Sequence, residues 1–389
     1  MTNATSLAPA LAPPAEVLEA APSSWTGSLL RRASVLLFLA ALFFPAYYFA
    51  EDRYWLPLFS RYMALAFFAV SVDLIWGYCG LLSLGQGLYF GLGVYAVGYS
   101  LKLQQAATAA GMPHTWGPDM ALPNFMEYCR LPAVPVWIAP LINIWVAFAL
   151  AVIVPTLVAS LFGLVTFRLR VKGVYFSLIT QALLLAMFTL VDNQQPYTGG
   201  RVGMTNLSRL ELFGHTFHNV DLYCLITGTL VVCFLICTAI VRSKFGRILT
   251  AIRDNENRVE ALGYNTALYK TFVFGLAGGL AGLAGALYVT ALRTAGPDRF
   301  AIPFSIEVVI MVAVGGRGTL VGAVLGSLLV SFADTYLTGT EATQKYWLML
   351  LGSLFVVVVL FLPDGIVGWL KNMGARLAAL LGWNRQSAT

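Results

Sequence analysis

Apolar runs long enough to cross about 30 Å of hydrocarbon as helix recur along the whole chain. They lie at 34–50, 62–76, 87–101, 136–167, 174–191, 222–241, 271–291 and 346–362, with one broken stretch at 304–337. A helix closes its backbone hydrogen bonds within its own segment, which is what a lipid interior demands. The pattern predicts an all-α polytopic membrane protein of about 9–10 transmembrane helices. Composition agrees: 59% of the 389 residues are hydrophobic and 11% charged, where a soluble protein has about a quarter charged.

The net charge of +6 would suggest nucleic acid if it clustered on a soluble face. Here it sorts by side instead. With Arg31 and Arg32 placed in the cytoplasm, alternation of the spans puts Arg168, Arg170, Lys172, the 242–270 stretch, Lys371, Arg376 and Arg385 on that same side. Lys and Arg outnumber acids there and balance them opposite, the asymmetry of the positive-inside rule. The expected organisation is a disordered cytoplasmic tail (1–32), one transmembrane domain (33–370) containing a cytoplasmic loop at 242–270, and a cytoplasmic tail (371–389). Arg31-Arg32 also fits a twin-arginine export signal, but the many later spans favour an uncleaved anchor. Two outer loops, 102–135 and 193–221, are long enough to receive an external partner.

The 242–270 stretch is the one long charged segment dividing two apolar blocks. Ile248, Leu249, Ile252, Val259 and Leu262 recur at helical spacing among Arg247, Arg253, Asp254, Glu256, Arg258 and Glu260, which predicts a short amphipathic helix pair. Asp254 or Asn255 is placed to cap the second helix, and Gly263 to end it in a left-handed conformation.

Glycines interrupt two apolar stretches, one in each half. The first, GYCGLLSLGQGLYFGLGVYAVG, ends at Gly98, and its polar groups are Ser83, Gln86 and Tyr89. The second, at 305–326, carries Gly315, Gly316, Gly318, Gly322 and Gly326. Unwound backbone at membrane depth is tolerated where it is buried in protein or lines a cavity. Paired breaks of this kind are what a transporter with an internal repeat shows, with the solute path between them. Gly91, Gly93 and Gly98 read better as sites of close helix packing. Gln86 offers an acceptor and donors suited to a small neutral polar solute, or else satisfies the unwound backbone around it.

Ionisable residues within spans are expensive and face protein or water. Four occur: Asp73, Glu307, Arg317 and Asp334. Glu307 follows Pro303 and Ser305, which suggests either an acid in the first turn of a half-helix or a pathway group. Arg317, between glycines, faces the path or pairs with an acid of another span. Asp73 and Asp334 lie near span ends, where an interfacial or interhelical role is expected. Tyr89 and Phe90 read as packing.

No phosphate-binding G-x-x-x-x-G-K-[ST], no G-x-S-x-G and no H-E-x-x-H occurs, and His114, His215 and His218 fall in outer loops. The sequence therefore gives no address for catalysis, a cofactor or a metal. The five cysteines follow no disulfide or metal spacing.

GLLSLGQGLYFGLGVYAVG (80–98), GVYFSLITQALLLAMF (173–188), GGRVGMTNL (199–207), the 245–288 block and SIEVVIMVAVGGRGTLVGAVLG (305–326) resemble permease subunits of the ABC importers for branched-chain amino acids and urea. The resemblance runs in order over about 54–363. It is to the second permease of the pair, the LivM type, and GQGLYFGLG and GGRGTLVGAVLG are nearest the urea branch, the UrtC type. Such a resemblance implies a heterodimer with a homologous permease, two cytoplasmic ATP-binding subunits, a periplasmic substrate-binding protein and the bacterial inner membrane. It also implies that 242–270 is the coupling loop, its matching residues being Arg253, Asp254, Asn255, Glu256, Glu260, Ala261, Leu262 and Gly263. Ser83, Gln86, Tyr89, Glu307 and Arg317 are then the candidates for the translocation path. Branched-chain amino acids remain the alternative solute. A proton-coupled transporter using Asp73, Glu307 or Asp334 is the alternative of another class.

Overall fold

The computed structural model describes residues 35, 37–49, 52 and 54–339, apart from 113–119, 172, 213 and a few side chains, together with scattered positions between 346 and 373. The tail at 1–32, Arg31, Arg32, His114, Lys172, Lys371, Arg376, Arg385 and most of the run at 346–362 lie outside the described residues. Contacts divide the chain into Met1–Leu42, whose described residues are mostly helical, and Phe43–Thr389.

The second unit is built from α1 (Trp55–Cys79), α2 (Gln86–Ala110), α3 (Ile144–Arg168), α4 (Val174–Asn193), α5 (Asn219–Arg242), α6 (Lys244–Ala261), α7 (Thr266–Leu292), α8 (Ile302–Gly315) and α9 (Leu320–Thr338). Among the described residues, 6 of these helices are long and apolar enough to cross a membrane. The segment counted in sequence as one broken stretch at 304–337 is two helices, α8 and α9, separated at Gly316–Thr319. The first broken stretch likewise parts into α1 and α2 around the non-helical 80–85.

The spans sort by burial. The apolar windows of α1 and α7 are 83% and 78% buried, while those of α3, α4 and α5 are 22%, 28% and 33% buried. α1 and α7 therefore form the centre, and the other three turn apolar surface outward, as lipid contact requires. Glycine allows the central helices to approach to backbone contact. A Cβ at Gly93 of α2 would collide with the Gly282 carbonyl of α7, and one at Gly285 with the Phe90 carbonyl of α2. The expectation of close packing thus describes Gly93, and Gly91 lies against the Phe300 ring.

α1 ends at Gly80, whose φ of 75° places it in the left-handed region. The Gly80 N–H donates to the Trp76 carbonyl at 3.2 Å and the Leu81 N–H to Ile75 at 3.3 Å. The extended return that follows is held by α4, where Ser177 Oγ donates to the Leu82 carbonyl at 2.6 Å.

α6 is the predicted helix pair, read as one element with a bend at Asn255 (φ −158°, ψ 95°). Of the two candidate caps it is Asn255 that acts, its Oδ1 accepting from the Arg258 N–H at 3.1 Å. The helix ends on Gly263 at φ 88°. There the Gly263 and Tyr264 N–H groups donate back to Glu260 and Val259 at 2.9 and 3.4 Å, a Schellman closure. Leu249, Ile252 and Val259 are buried and form its inner face.

Gly93→Val is expected to lower stability by roughly 1–3 kcal/mol, the usual cost of overpacking, because the facing atom is backbone and cannot change rotamer. Thermal unfolding of the purified protein checks this, and an unchanged melting temperature would contradict the α2–α7 contact.

Candidate translocation path and coupling surface

Two helices begin at the half-height of α1. Phe68 lies in the middle of this 25-residue helix, which is roughly 37 Å long at 1.5 Å per residue. Its ring stacks on Phe90, in the second turn of α2, at 4.6 Å and on Phe304, in the first turn of α8, at 5.8 Å. From this level the two helices diverge. α2 runs toward the end of α7, where Gly98 abuts Ala295, and α8 runs toward the end of α1. Their starts are joined directly, the Gly87 N–H of α2 donating to Ser305 Oγ of α8 at 3.0 Å.

Gln86 opens α2 at this meeting point. It is 2% exposed, and neither its Oε1 nor its Nε2 has a hydrogen-bond partner among the described residues. Burying an unpaired amide is costly. Ser83 is also buried, and its Oγ accepts from the Gly85 N–H at 3.4 Å. Tyr89 is 2% exposed, with its ring edge-on to Phe274 of α7 at 5.6 Å. The structure therefore places Gln86 next to the Gly87–Ser305 contact at the start of α8, buries Ser83 in the preceding turn and packs the Tyr89 ring against α7.

Glu307 lies two residues beyond Ser305 in α8, and Arg317 lies past the other end of that helix. α8 begins at Ile302 and has no acid in its first turn, so Glu307 stands in the second turn. This corrects the first-turn expectation, because Pro303 occupies an N-terminal position inside the helix and not before it. Glu307 is half-buried and within electrostatic range of Asp334, Arg61 and Arg299. Arg317 is exposed beyond the far end of α8, with its guanidinium over the Trp76 ring at 5.7 Å.

Asp334 and Asp73 are interhelical. Arg61 of α1 pairs with Asp334 of α9 at 3.2 Å, and the neighbouring Tyr62 hydroxyl donates to Thr335 Oγ1 at 2.6 Å. Asp73 accepts the Gly318 N–H at 2.7 Å. Sequence reasoning missed Arg61, Ser305 and Arg299. Arg61 carried a signal, being a cation one residue before an apolar run with an acid, Asp334, in the complementary position of another.

On the side away from α6, a cleft of about 540 Å³ is lined by Asp192, Arg201, Thr205, Asp298 and Ala301. Ala301 is the residue before α8, so the cleft reaches the start of that helix. Among the described residues, no group of three or more His, Cys, Asp or Glu side chains is placed to hold a metal.

The eight residues of the charged loop divide into two sets. Arg253 donates to the Gly77 carbonyl of α1 at 2.7 Å. Glu256 pairs with Lys270 of α7, and Glu260 accepts from the Thr266 hydroxyl at 2.8 Å. These three hold α6 to the spans. Asp254, Asn255, Ala261, Leu262 and Gly263 are exposed. Leu262 is 72% exposed, with Tyr264 and Leu268 also exposed close by in sequence, an apolar cluster unusual in so polar a loop.

Residues 55–359 match the family model described as "Branched-chain amino acid transport system / permease component". The chain is 23% identical to the high-affinity branched-chain amino acid transport system permease protein LivM of Salmonella typhimurium, over 85% of this chain and 74% of the relative. To the probable LivM of Methanocaldococcus jannaschii it is 24% identical over 77% and 89%. To the ribose import permease protein RbsC of Haemophilus influenzae it is 25% identical over 59% and 71%. No solved structure matches.

Gln86→Leu is expected to leave the melting temperature of the solute-free protein unchanged or higher, since it removes a buried polar group that has no partner. A clear fall would reveal a structural hydrogen bond to the amide.

Proposed function

The chain belongs to the branched-chain amino acid transport permease family, and on that premise we propose that this ABC importer permease carries urea past the meeting point of α2 and α8. The observation that carries the choice of solute is Gln86, a buried carboxamide with donor and acceptor both unspent. Urea is itself a neutral diamide and complements such a group on each count. The resemblance of GQGLYFGLG and GGRGTLVGAVLG to the urea branch supports the same reading.

A second reading keeps the machinery and changes the solute to branched-chain amino acids. The positive N-terminal ends of α2 and α8 suit a carboxylate, and the LivM relatives are named for those solutes.

In this proposal the chain forms half of the path with a homologous permease. A periplasmic binding protein delivers solute, and two cytoplasmic ATP-binding subunits carry out the hydrolysis, leaving this chain without chemistry of its own. The protein lies in the inner membrane with its termini in the cytoplasm. Differential affinity of the ATPases for the two conformations drives the cycle. The exposed Leu262 and the end of α6 form the docking surface for an ATPase.

Uptake of labelled urea and leucine, with and without this chain and with partners present, tests the solute. Urea uptake lost on ATP depletion but resistant to a protonophore is expected, and Gln86→Leu should cut it about tenfold, the equivalent of one hydrogen bond. Loss of leucine uptake alone would favour the second reading. Collapse with the proton gradient at constant ATP would favour a secondary transporter working through Glu307, Asp73 or Asp334.

Leu262→Asp tests the docking surface separately. It should prevent co-purification of the ATPase while the spans keep their thermal stability, because the side chain is solvent-exposed in this chain.

A further inference from the structure

Where α6 meets the spans, three chain segments converge on glycine. Arg253, in the last turn before the bend at Asn255, sends Nη1 to the Gly77 carbonyl at 2.7 Å. Gly77 is in the last turn of α1, whose carbonyls have no partner within the helix, so the guanidinium meets an open acceptor at the negative helix end. The stem of the same side chain fills the place of the missing side chain at Gly80, where a Cβ would lie 2.7 Å from Arg253 Cγ.

The opposite side of that turn is occupied by the break between α8 and α9. Asp73, one turn before Gly77, accepts the Gly318 N–H at 2.7 Å. A Cβ on Gly77 would strike both Asp73 Oδ1 and the Gly318 nitrogen. Gly318 is left-handed at φ 79°, and a Cβ there would lie 3.6 Å from Arg253 Nη1. Arg253, the last turn of α1 and the α8–α9 turn are thus in direct contact. Asp73 keeps its Oδ2 buried and unpartnered among the described residues, and the cations acting on it are Arg253 and Arg317.

We propose that Arg253 and Asp73 are positioning residues that pass movement of α6 to the break between α8 and α9. Displacing α6 carries Arg253, which carries Gly77 and the end of α1, and Asp73 carries Gly318 with them. α8 runs back from that turn to Ser305 and Gly87, so a shift at Gly318 is delivered to the half-depth meeting point. The coupling residues then have separate tasks: Leu262 attaches the ATPase and Arg253 transmits. The inference rests on the reading of α6 as the ATPase-docking element.

The test uses the full complex in liposomes, measuring solute uptake and ATP hydrolysis in the same vesicles. For Arg253→Met, whose side chain is partly exposed, the ATPase should still co-purify while solute moved per ATP falls about tenfold, a coupling effect of ordinary size. Arg253→Lys, which keeps one donor, should recover part of the loss. Asp73→Ala, which removes the acceptor for the Gly318 N–H, should lower the ratio much as Arg253→Met does. Added to Arg253→Met, it should produce no further fall. An unchanged ratio in either Arg253→Met or Asp73→Ala overturns the relay, as does a fall in Asp73→Ala that adds fully to that of Arg253→Met. If Leu262→Asp still co-purifies with the ATPase, the docking reading is what fails, since Leu262 takes no part in the Gly77 and Gly318 contacts.

Discussion

Everything in this molecule depends on interrupting helices inside a medium that punishes interruption. Backbone N–H and C=O groups left open in hydrocarbon cost several kcal/mol each, yet α1 stops, the chain turns back, and α2 starts at the half-height of its neighbour. The structure meets that cost with protein donors and acceptors. Ser177 takes the Leu82 carbonyl, Ser305 takes the Gly87 N–H, and Asp73 takes the Gly318 N–H. Each open backbone group answered in this way ties a break to a different helix. The breaks are consequently the places where distant parts of the chain are most firmly joined.

Glycine makes those joins possible by letting backbone meet backbone. The α2–α7 contact at Gly93 and Gly282 brings α2 against the buried centre without a side chain between them. The outer helices contribute apolar surface and little of the polar network. Charge is treated similarly: Arg61 and Asp334 neutralise each other between α1 and α9, and Lys270 and Glu256 do so between α7 and α6. A lone charge in either position would be expensive. A pair instead fixes which helices lie side by side, whatever its net contribution to stability.

The parts legible in sequence are those written in local pattern. Apolar length announced the spans, glycine clusters the breaks, and the run from Asn255 to Gly263 carried both its cap and its terminator. The contacts that define the site are not local. The partners of Gly87, Arg61, Asp73 and Arg253 lie 218, 273, 245 and 176 residues away, and no periodicity reports on such pairings. Glu307 shows the finer failure. A proline marks the neighbourhood of a helix start but not which side of it the first turn falls, and one turn of error moves an acid away from the helix end.

Arg253 shows why charge on a loop between spans is a poor guide to what that charge does. By composition it belongs with Asp254 and Arg258, a polar face turned to water or to a partner. By geometry it faces both ways, its Nε donating to Asp254 Oδ1 at 3.2 Å while Nη1 reaches the Gly77 carbonyl and the stem packs where Gly80 has no side chain. Leu262, which by hydropathy should be buried, is exposed. An isolated amphipathic helix would leave Arg253 wholly to water and bury Leu262, and α6 does neither. Those two departures, more than the amphipathic pattern itself, support the proposed place of α6 between the spans and an ATPase.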